Sequence, residues 1–310
     1  MTSPAPRSLF QRLWGNPYLL LVLAVSFWAG NAIIGRAVHG VVPPVGMAFF
    51  RWIGASLIIL PFAWPHLKRD WAVAASGWRW LAVLAACGIG AFNTFLYIGL
   101  QYTQAINSLL MQSAIPVLIV VLSFVVFRQR ISAFQGIGTL VSLTGVLLII
   151  TAGHPERLMA LDLNRGDLWV LAAVAAYAVY SVFLQKRPAM HPLGFVALTF
   201  VIGTVMLAPF AAWEAWGSGR AMDWGHPYTW MAVGYVSVFP SIFSYLCFNR
   251  GVELLGANTA GLFIHLNPLF GSLLAIVFLG ETFALHHGLG MALILGGIFL
   301  ANRRAKARHG

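Results

Sequence analysis

Two ionisable side chains stand inside long apolar runs, and they have the most chemistry to offer. Arg51 lies about 12 Å along a helix from Pro43 at 1.5 Å per residue. A guanidinium there is either a counter-charge for a solute carboxylate or a donor to carbonyls near a broken helix. His265 stands two residues before Asn267 and three before Pro268. It carries a proton or donates to a solute, or it rests neutral against a neighbouring hydroxyl. For both residues the sequence leaves the two readings open.

Uncharged polar residues accompany them at helical spacing. Trp28 and Asn31 are three apart, and Asn93, Tyr97 and Gln101 form an i, i+4, i+8 stripe. Asn107, Ser108, Gln112 and Ser113 follow, then Tyr177, Tyr180 and Ser181, then Ser237, Ser241, Ser244, Tyr245 and Asn249. Polar groups in apolar surroundings are costly and gather on a bundle interior or a wet cavity. The candidate solute-binding set is therefore Trp28, Asn31, Asn93, Tyr97, Gln112, Tyr177, Tyr180, Ser244, Tyr245, His265 and Asn267. The plain alternative is that hydroxyls bond back to their own helices and that aromatics near span ends anchor in the interface, as Trp14, Tyr18 and Trp78 do.

The elements that position these residues follow from composition. Of 310 residues, 60% are hydrophobic and 9% charged, whereas a soluble domain carries about 25% charged. Apolar stretches of roughly 20 residues recur, long enough to cross the bilayer as helices. The expectation is an all-α membrane protein of ten transmembrane helices near 18–38, 44–64, 78–100, 104–127, 131–151, 167–187, 192–213, 228–250, 256–280 and 284–302. The N-terminal apolar run is read as an uncleaved first span. The net charge of +11 does not indicate nucleic acid. With the N-terminus inside, only Arg36, Arg157, Arg165 and Arg220 among the extramembrane cations fall outside, so both termini are expected to be cytoplasmic. The tail 303–310 is basic and holds that orientation, where it meets anionic lipid.

The chain also repeats itself. "SAIPVLIVVLSFVVFRQRI" and "HLNPLFGSLLAIVFLGETF" align at an offset of 152, bringing Pro116 onto Pro268, Gly138 onto Gly290 and Gly145 onto Gly297. An offset of 149 brings Pro43 onto Pro192 and Gly54 onto Gly203. Residues 1–151 and 167–302 thus form two five-helix repeats joined by 152–166. Five is odd, so the second copy enters inverted, the architecture of alternating access. Pro116 and Pro268 are expected to break their helices at moving points. The glycines Gly136, Gly138, Gly145, Gly288, Gly290 and Gly297 are expected to let helices approach closely.

"SFWAGNAIIGRAV" and "NPLFGSLLAIVFLGETFALHHGLGMALILGGIF" resemble the opening helix and closing signature of EamA-type members of the drug/metabolite transporter superfamily. The resemblance implies a ten-helix exporter-like fold with a central cavity and peripheral fifth and tenth helices. Gln129 stands where the second copy has Glu281. Bacterial aromatic amino acid exporters look most similar.

Other classes lack their chemistry. Lys68, Lys186 and Lys306 follow no phosphate loop. An intramembrane enzyme needs a nucleophile with its base, paired carboxylates or metal ligands; His286 and His287 point apart on a helix, so no metal site or cofactor is expected, and Cys87 and Cys247, in different spans, suggest no disulfide. The absence of a carboxylate in the first span argues against lipophilic cations, and a lone Arg51 argues against sugar phosphates. The expectation is a secondary transporter of the bacterial inner membrane, with lipid and a small-molecule substrate as partners. It would export small hydrophobic, aromatic amino acids or related metabolites, with a hydrophobic-metabolite or multidrug exporter as the alternative, an intramembrane enzyme as the alternative from another class, and a monomer as the plausible state.

Overall fold

A computed structural model describes residues 9–37, 42–103, 105–154, 156, 164–279 and 284–302, and no strand forms among them. The tail 303–310, Glu281 and most of the connecting loop lie outside the described residues. After the short helix Leu9–Trp14 the chain runs through α1 (Pro17–Ala37), α2 (Pro44–Ser76) and α3 (Trp78–Gly99). Helix α4 comes in two pieces, Ala105–Gln112 and Ile115–Phe127, and α5 is Ala133–Ile150. Then follow α6 (Arg165–Lys186), α7 (Pro192–Gly217) and α8 (Pro227–Leu255). Helix α9 comprises Ala257–Leu262, a 3₁₀ turn Phe263–His265, and Leu266–Leu279; α10 is Leu285–Asn302. Seven of the described helices are long and apolar enough to cross a membrane, and Pro17–Asn31 and Ile115–Phe127 are shorter apolar helices. Leu57, Phe62, Leu140, Val205, Phe210, Val277 and Phe299 face outward, more than half exposed. In a bilayer those side chains meet lipid rather than water.

Two boundaries differ from expectation for local reasons. The polar run from Trp64 to Asp70 predicts that α2 ends near 64, yet the helix continues to Ser76 through Pro61 and Pro65. Ala63, Leu67 and Ala74 stay buried along that extension, so packing on one face carries the helix past its polar residues. Pro116 and Pro268 do not sit in continuous helix. Each falls in the first turn of a helical piece that follows a break, where a missing N–H costs little.

Close contacts recur in pairs at the offsets at which the sequence matches itself. An added Cβ on Gly99 would stand 2.7 Å from Val170, and one on Gly251 would stand 2.5 Å from Leu21. Gly251 is 152 beyond Gly99, and Val170 is 149 beyond Leu21. Gly138 lies against Gly297, and Gly145 against Gly290, where an added Cβ would come within 2.6 Å of a carbonyl oxygen. Helices α5 and α10 therefore pack backbone to backbone. Gly136 makes no such approach, since its Cβ would meet only Ile131, at 3.6 Å. Helices α3 and α8 each contain a π-helical stretch, Ala85–Ala91 and Val238–Phe243, which overlap at the 152 offset. An inserted residue of this kind shifts the hydrogen-bond ladder and leaves carbonyls for other donors.

Candidate functional site

Those freed carbonyls are used. Arg51, on α2, is 1% exposed, and its guanidinium reaches three other helices. Nε donates to Ser241 Oγ at 2.6 Å and Nη2 to the Pro240 carbonyl at 3.0 Å, both in the π stretch of α8. Nη1 donates to Asn93 Oδ1 and Tyr97 Oη on α3, each at 3.0 Å, and to Asn31 Oδ1 on α1 at 3.3 Å. Tyr97 in turn donates to Asn31 Oδ1 at 3.1 Å. The guanidinium carbon lies 4.7 Å from the Trp52 ring centroid. Among the described residues no carboxylate lies within ion-pair distance of Arg51. Taking an unpaired cation out of water costs several kcal/mol, so five oxygen acceptors hold it here in place of a counter-charge.

An aromatic shell adjoins this knot. The Trp28 ring meets Tyr177 at 5.7 Å, Tyr245 at 6.3 Å and Phe248 at 5.2 Å. Tyr245 also meets Trp52 at 5.5 Å, Phe200 at 5.7 Å and Tyr180 at 5.8 Å. Trp28 donates to the Pro240 carbonyl at 3.1 Å, and Tyr245 donates to the Gly88 carbonyl in the other π stretch. Tyr180 donates to Asn249 Oδ1 at 2.7 Å. Several buried donors here find no acceptor among the described residues: Asn93 Nδ2, Trp52 Nε1, Asn249 Nδ2 and the Tyr177 hydroxyl. A buried donor without a partner costs roughly 1–3 kcal/mol. The centre is thus cationic, rich in donors and walled by rings, a match for a solute with an acceptor-only anionic end and a flat apolar end.

The structure brings Trp28, Asn31, Arg51, Asn93, Tyr97, Tyr177, Tyr180 and Tyr245 into this one centre, and sets the remaining candidates elsewhere. Ser244 donates to Ala24 O and Phe239 O, tying α8 to α1. Gln112, Asn267 and His265 line a separate small cleft at the breaks of α4 and α9. Gln112 bonds back to Ser108. His265 is 1% exposed, with Nδ1 2.9 Å from Ser142 Oγ and Nε2 3.1 Å from the Ser113 carbonyl. The carbonyl only accepts, so Nε2 bears the hydrogen and donates to it. Trp52, Phe200 and Phe248 belong to the shell but read in sequence as ordinary apolar residues. One signal was available, because Phe200 lies at the 149 offset from Arg51.

The sequence profile of the EamA-like transporter family matches this chain twice, over residues 15–151 and 164–303. A transporter of Archaeoglobus fulgidus, named as uncharacterized, is 26% identical over 93% of this chain and 97% of its own. The uncharacterized transporter YyaM of Bacillus subtilis is 26% identical over 93% of each chain. The uncharacterized inner membrane transporter YicL of Salmonella typhimurium is 25% identical over 93% of this chain and 97% of its own. A solved crystal structure superimposes with a TM-score of 0.75 at 19% identity, covering 95% of this chain and 99% of its own, so the two share a fold. With apolar helices long enough to span a bilayer, and both halves matched by one profile, the chain belongs to the EamA-like transporter family and is a membrane transporter.

Proposed function

We propose that this protein exports small hydrophobic amino acids, aromatic ones foremost, across the bacterial inner membrane by alternating access. In this reading ten helices cross the bilayer as two inverted five-helix repeats, with both termini cytoplasmic. The relative named as an inner membrane transporter supports the location. The observation that carries the substrate reading is Arg51, buried with no carboxylate among the described residues within ion-pair distance, beside unpartnered donors and against an aromatic shell. A solute carboxylate takes donors from Arg51 and from Asn93 Nδ2. Its ring lies among Trp28, Tyr177 and Tyr245, each well-oriented ring contact contributing about 0.5–1.5 kcal/mol.

Binding and opening are the same event in this scheme. Arg51 joins α1, α3 and α8 to α2 through Asn31, Asn93, Tyr97, Ser241 and the Pro240 carbonyl. A carboxylate replaces some of these acceptors, so the helices that supply them are released. A ligand moves an equilibrium only through contacts that differ between states, and these do. Among the described residues no carboxylate accompanies Arg51, and flux is expected to persist when the proton gradient is collapsed.

The test is flux of labelled tryptophan into liposomes holding the purified protein, competed with phenylalanine, alanine, tryptamine and ethidium. Phenylalanine competes and tryptamine, which lacks the carboxylate, does not. Transport of ethidium or tryptamine without tryptophan would overturn the assignment and favour a multidrug exporter. Loss of tryptophan flux with an ionophore would overturn the uncoupled scheme.

A further inference from the structure

Helices α2 and α7 lie antiparallel, and each end of the pair is fastened by a carboxylate from one helix on the backbone of the other. At one end Glu214, in the π-helical turn Trp213–Gly217 of α7, accepts from the Gly46 N–H at 2.7 Å and the Val45 N–H at 3.3 Å. These are first-turn donors of α2, whose own N-cap, Pro43, offers no side-chain bond. Glu214 is 5% exposed, and among the described residues no cation lies within ion-pair distance. Its charge is met by two N–H groups and the positive end of the α2 dipole. At the other end the parts are exchanged. Asp70, near the end of α2, accepts from the His191 N–H at 2.7 Å, where His191 caps α7 ahead of Pro192. Arg69 holds the second Asp70 oxygen at 3.0 Å, and the His66 and His191 rings stack at 3.5 Å. Pro43, the N-cap of α2, and Pro192, the first residue of α7, are 149 apart.

A cap taken from the same helix steadies only that helix. A cap taken from the other repeat also holds the two repeats together at that membrane face. We infer that Glu214 and Asp70 are reciprocal latches, and that release of either biases the protein to open on the face where that latch sits. Both are fastened in this structure, and Arg51, Asn93, Tyr177 and Tyr245 are at most 2% exposed, so the centre is closed to both sides. The inference rests on the alternating-access reading above. With cytoplasmic termini, Glu214 fastens the outer face and Asp70 the inner.

The test places a thiol in the centre by Ser241→Cys, at the buried hydroxyl that accepts from Arg51, in a chain with Cys87→Ala and Cys247→Ala. A membrane-impermeant maleimide is applied to intact cells and to inside-out vesicles. Glu214→Ala raises labelling from outside by roughly tenfold, the shift that loss of a charged hydrogen bond gives a two-state equilibrium. Asp70→Ala raises labelling from inside. Glu214→Gln, which keeps one acceptor oxygen, gives a smaller rise on the same side as Glu214→Ala. Monodisperse elution of each variant on size exclusion confirms that it has folded. Equal rises from both sides, or none in folded protein, would overturn the latches. An exchange of sides between the two variants would uphold them and reverse the orientation instead.

Discussion

The centre of this transporter is built twice, once in polar residues and once in aromatic ones. Trp28, Asn31 and Arg51 have Tyr177, Tyr180 and Phe200 at the 149 offset; Asn93 and Tyr97 have Tyr245 and Asn249 at 152. The contacts correspond too. Arg51 bonds Asn93 at 3.0 Å, and Phe200 meets Tyr245 at 5.7 Å. Tyr97 donates to Asn31, whereas on the other side Tyr180 donates to Asn249, the same bond with its partners exchanged. Trp28 meets its own counterpart, Tyr177, and His265 meets its own, Ser113. A shared backbone plan with divergent side chains gives the site a charged end and a ring-lined end. That polarity is what a solute with a carboxylate and an apolar body requires.

Removing the charged end is the strongest way to break this comparison. Arg51→Met leaves the acceptors of Asn93 and Ser241 without their donor and removes the cation, and hydrogen bonds to a charged group are worth about 1.5–3 kcal/mol each. Carboxylate flux is expected to fall by well over tenfold in liposomes, with normal expression. Arg51→Lys does not restore it, since an ammonium point charge cannot span the acceptors that the planar fork reaches. Retained tryptophan flux in Arg51→Met would mean that the polar half serves structure alone.

Away from the centre the same offsets give likeness rather than contrast, and this sharpens the point. Gly138→Ala and Gly290→Ala, 152 apart, each drive a methyl into the facing backbone of α10 or α5, within 2.5 and 2.8 Å of carbonyl oxygens. Overpacking of this kind costs about 1–3 kcal/mol. The two variants are expected to lose thermal stability by similar amounts. Gly136→Ala, whose new methyl meets only Ile131 at ordinary contact distance, is expected to be neutral or slightly stabilising. A melting curve for Gly136→Ala as low as that for Gly138→Ala would show that the α5–α10 seam is wider than these contacts.

Much of this was legible in the sequence because membrane solvation writes plainly. Long apolar runs, polar interruptions at helical spacing and two matched prolines located the helices and nominated Trp28, Asn31, Asn93, Tyr97, Tyr177, Tyr180 and Tyr245. What stayed hidden depends on the third dimension. Gln112, Asn267 and His265 carry the same signal as Asn93, a polar group in an apolar run, yet they serve the α4–α9 breaks, because sequence spacing does not say which neighbour a face meets. The caps escaped for the opposite reason. Glu214 and Asp70 look like ordinary residues at helix ends, and their partners are backbone amides more than a hundred residues away. The π stretches leave no composition mark, so the Gly88 and Pro240 carbonyls could not be foreseen as acceptors.

The smallest effect, and the finest test of the two-halves idea, lies in one oxygen atom on each side. Tyr97→Phe removes a hydroxyl that accepts from Arg51 and donates to Asn31. Tyr180→Phe removes one that donates to Asn249 and touches no charge. Tyr180→Phe loses one neutral hydrogen bond of about 1 kcal/mol net, whereas Tyr97→Phe loses one such bond and one to a charged group worth about 1.5–3 kcal/mol, so the melting temperature is expected to fall further in Tyr97→Phe. Transport is expected to separate them. Without the Tyr97 hydroxyl, Arg51 has one acceptor fewer to exchange for the substrate carboxylate, so the balance between the closed knot and the bound state changes, and tryptophan KM moves. Without the Tyr180 hydroxyl the charged end is untouched, and KM stays near that of the parent protein. If both variants shift KM equally, the carboxylate is not confined to the Arg51 half. The division of the centre into a charged end and a ring-lined end would then fail.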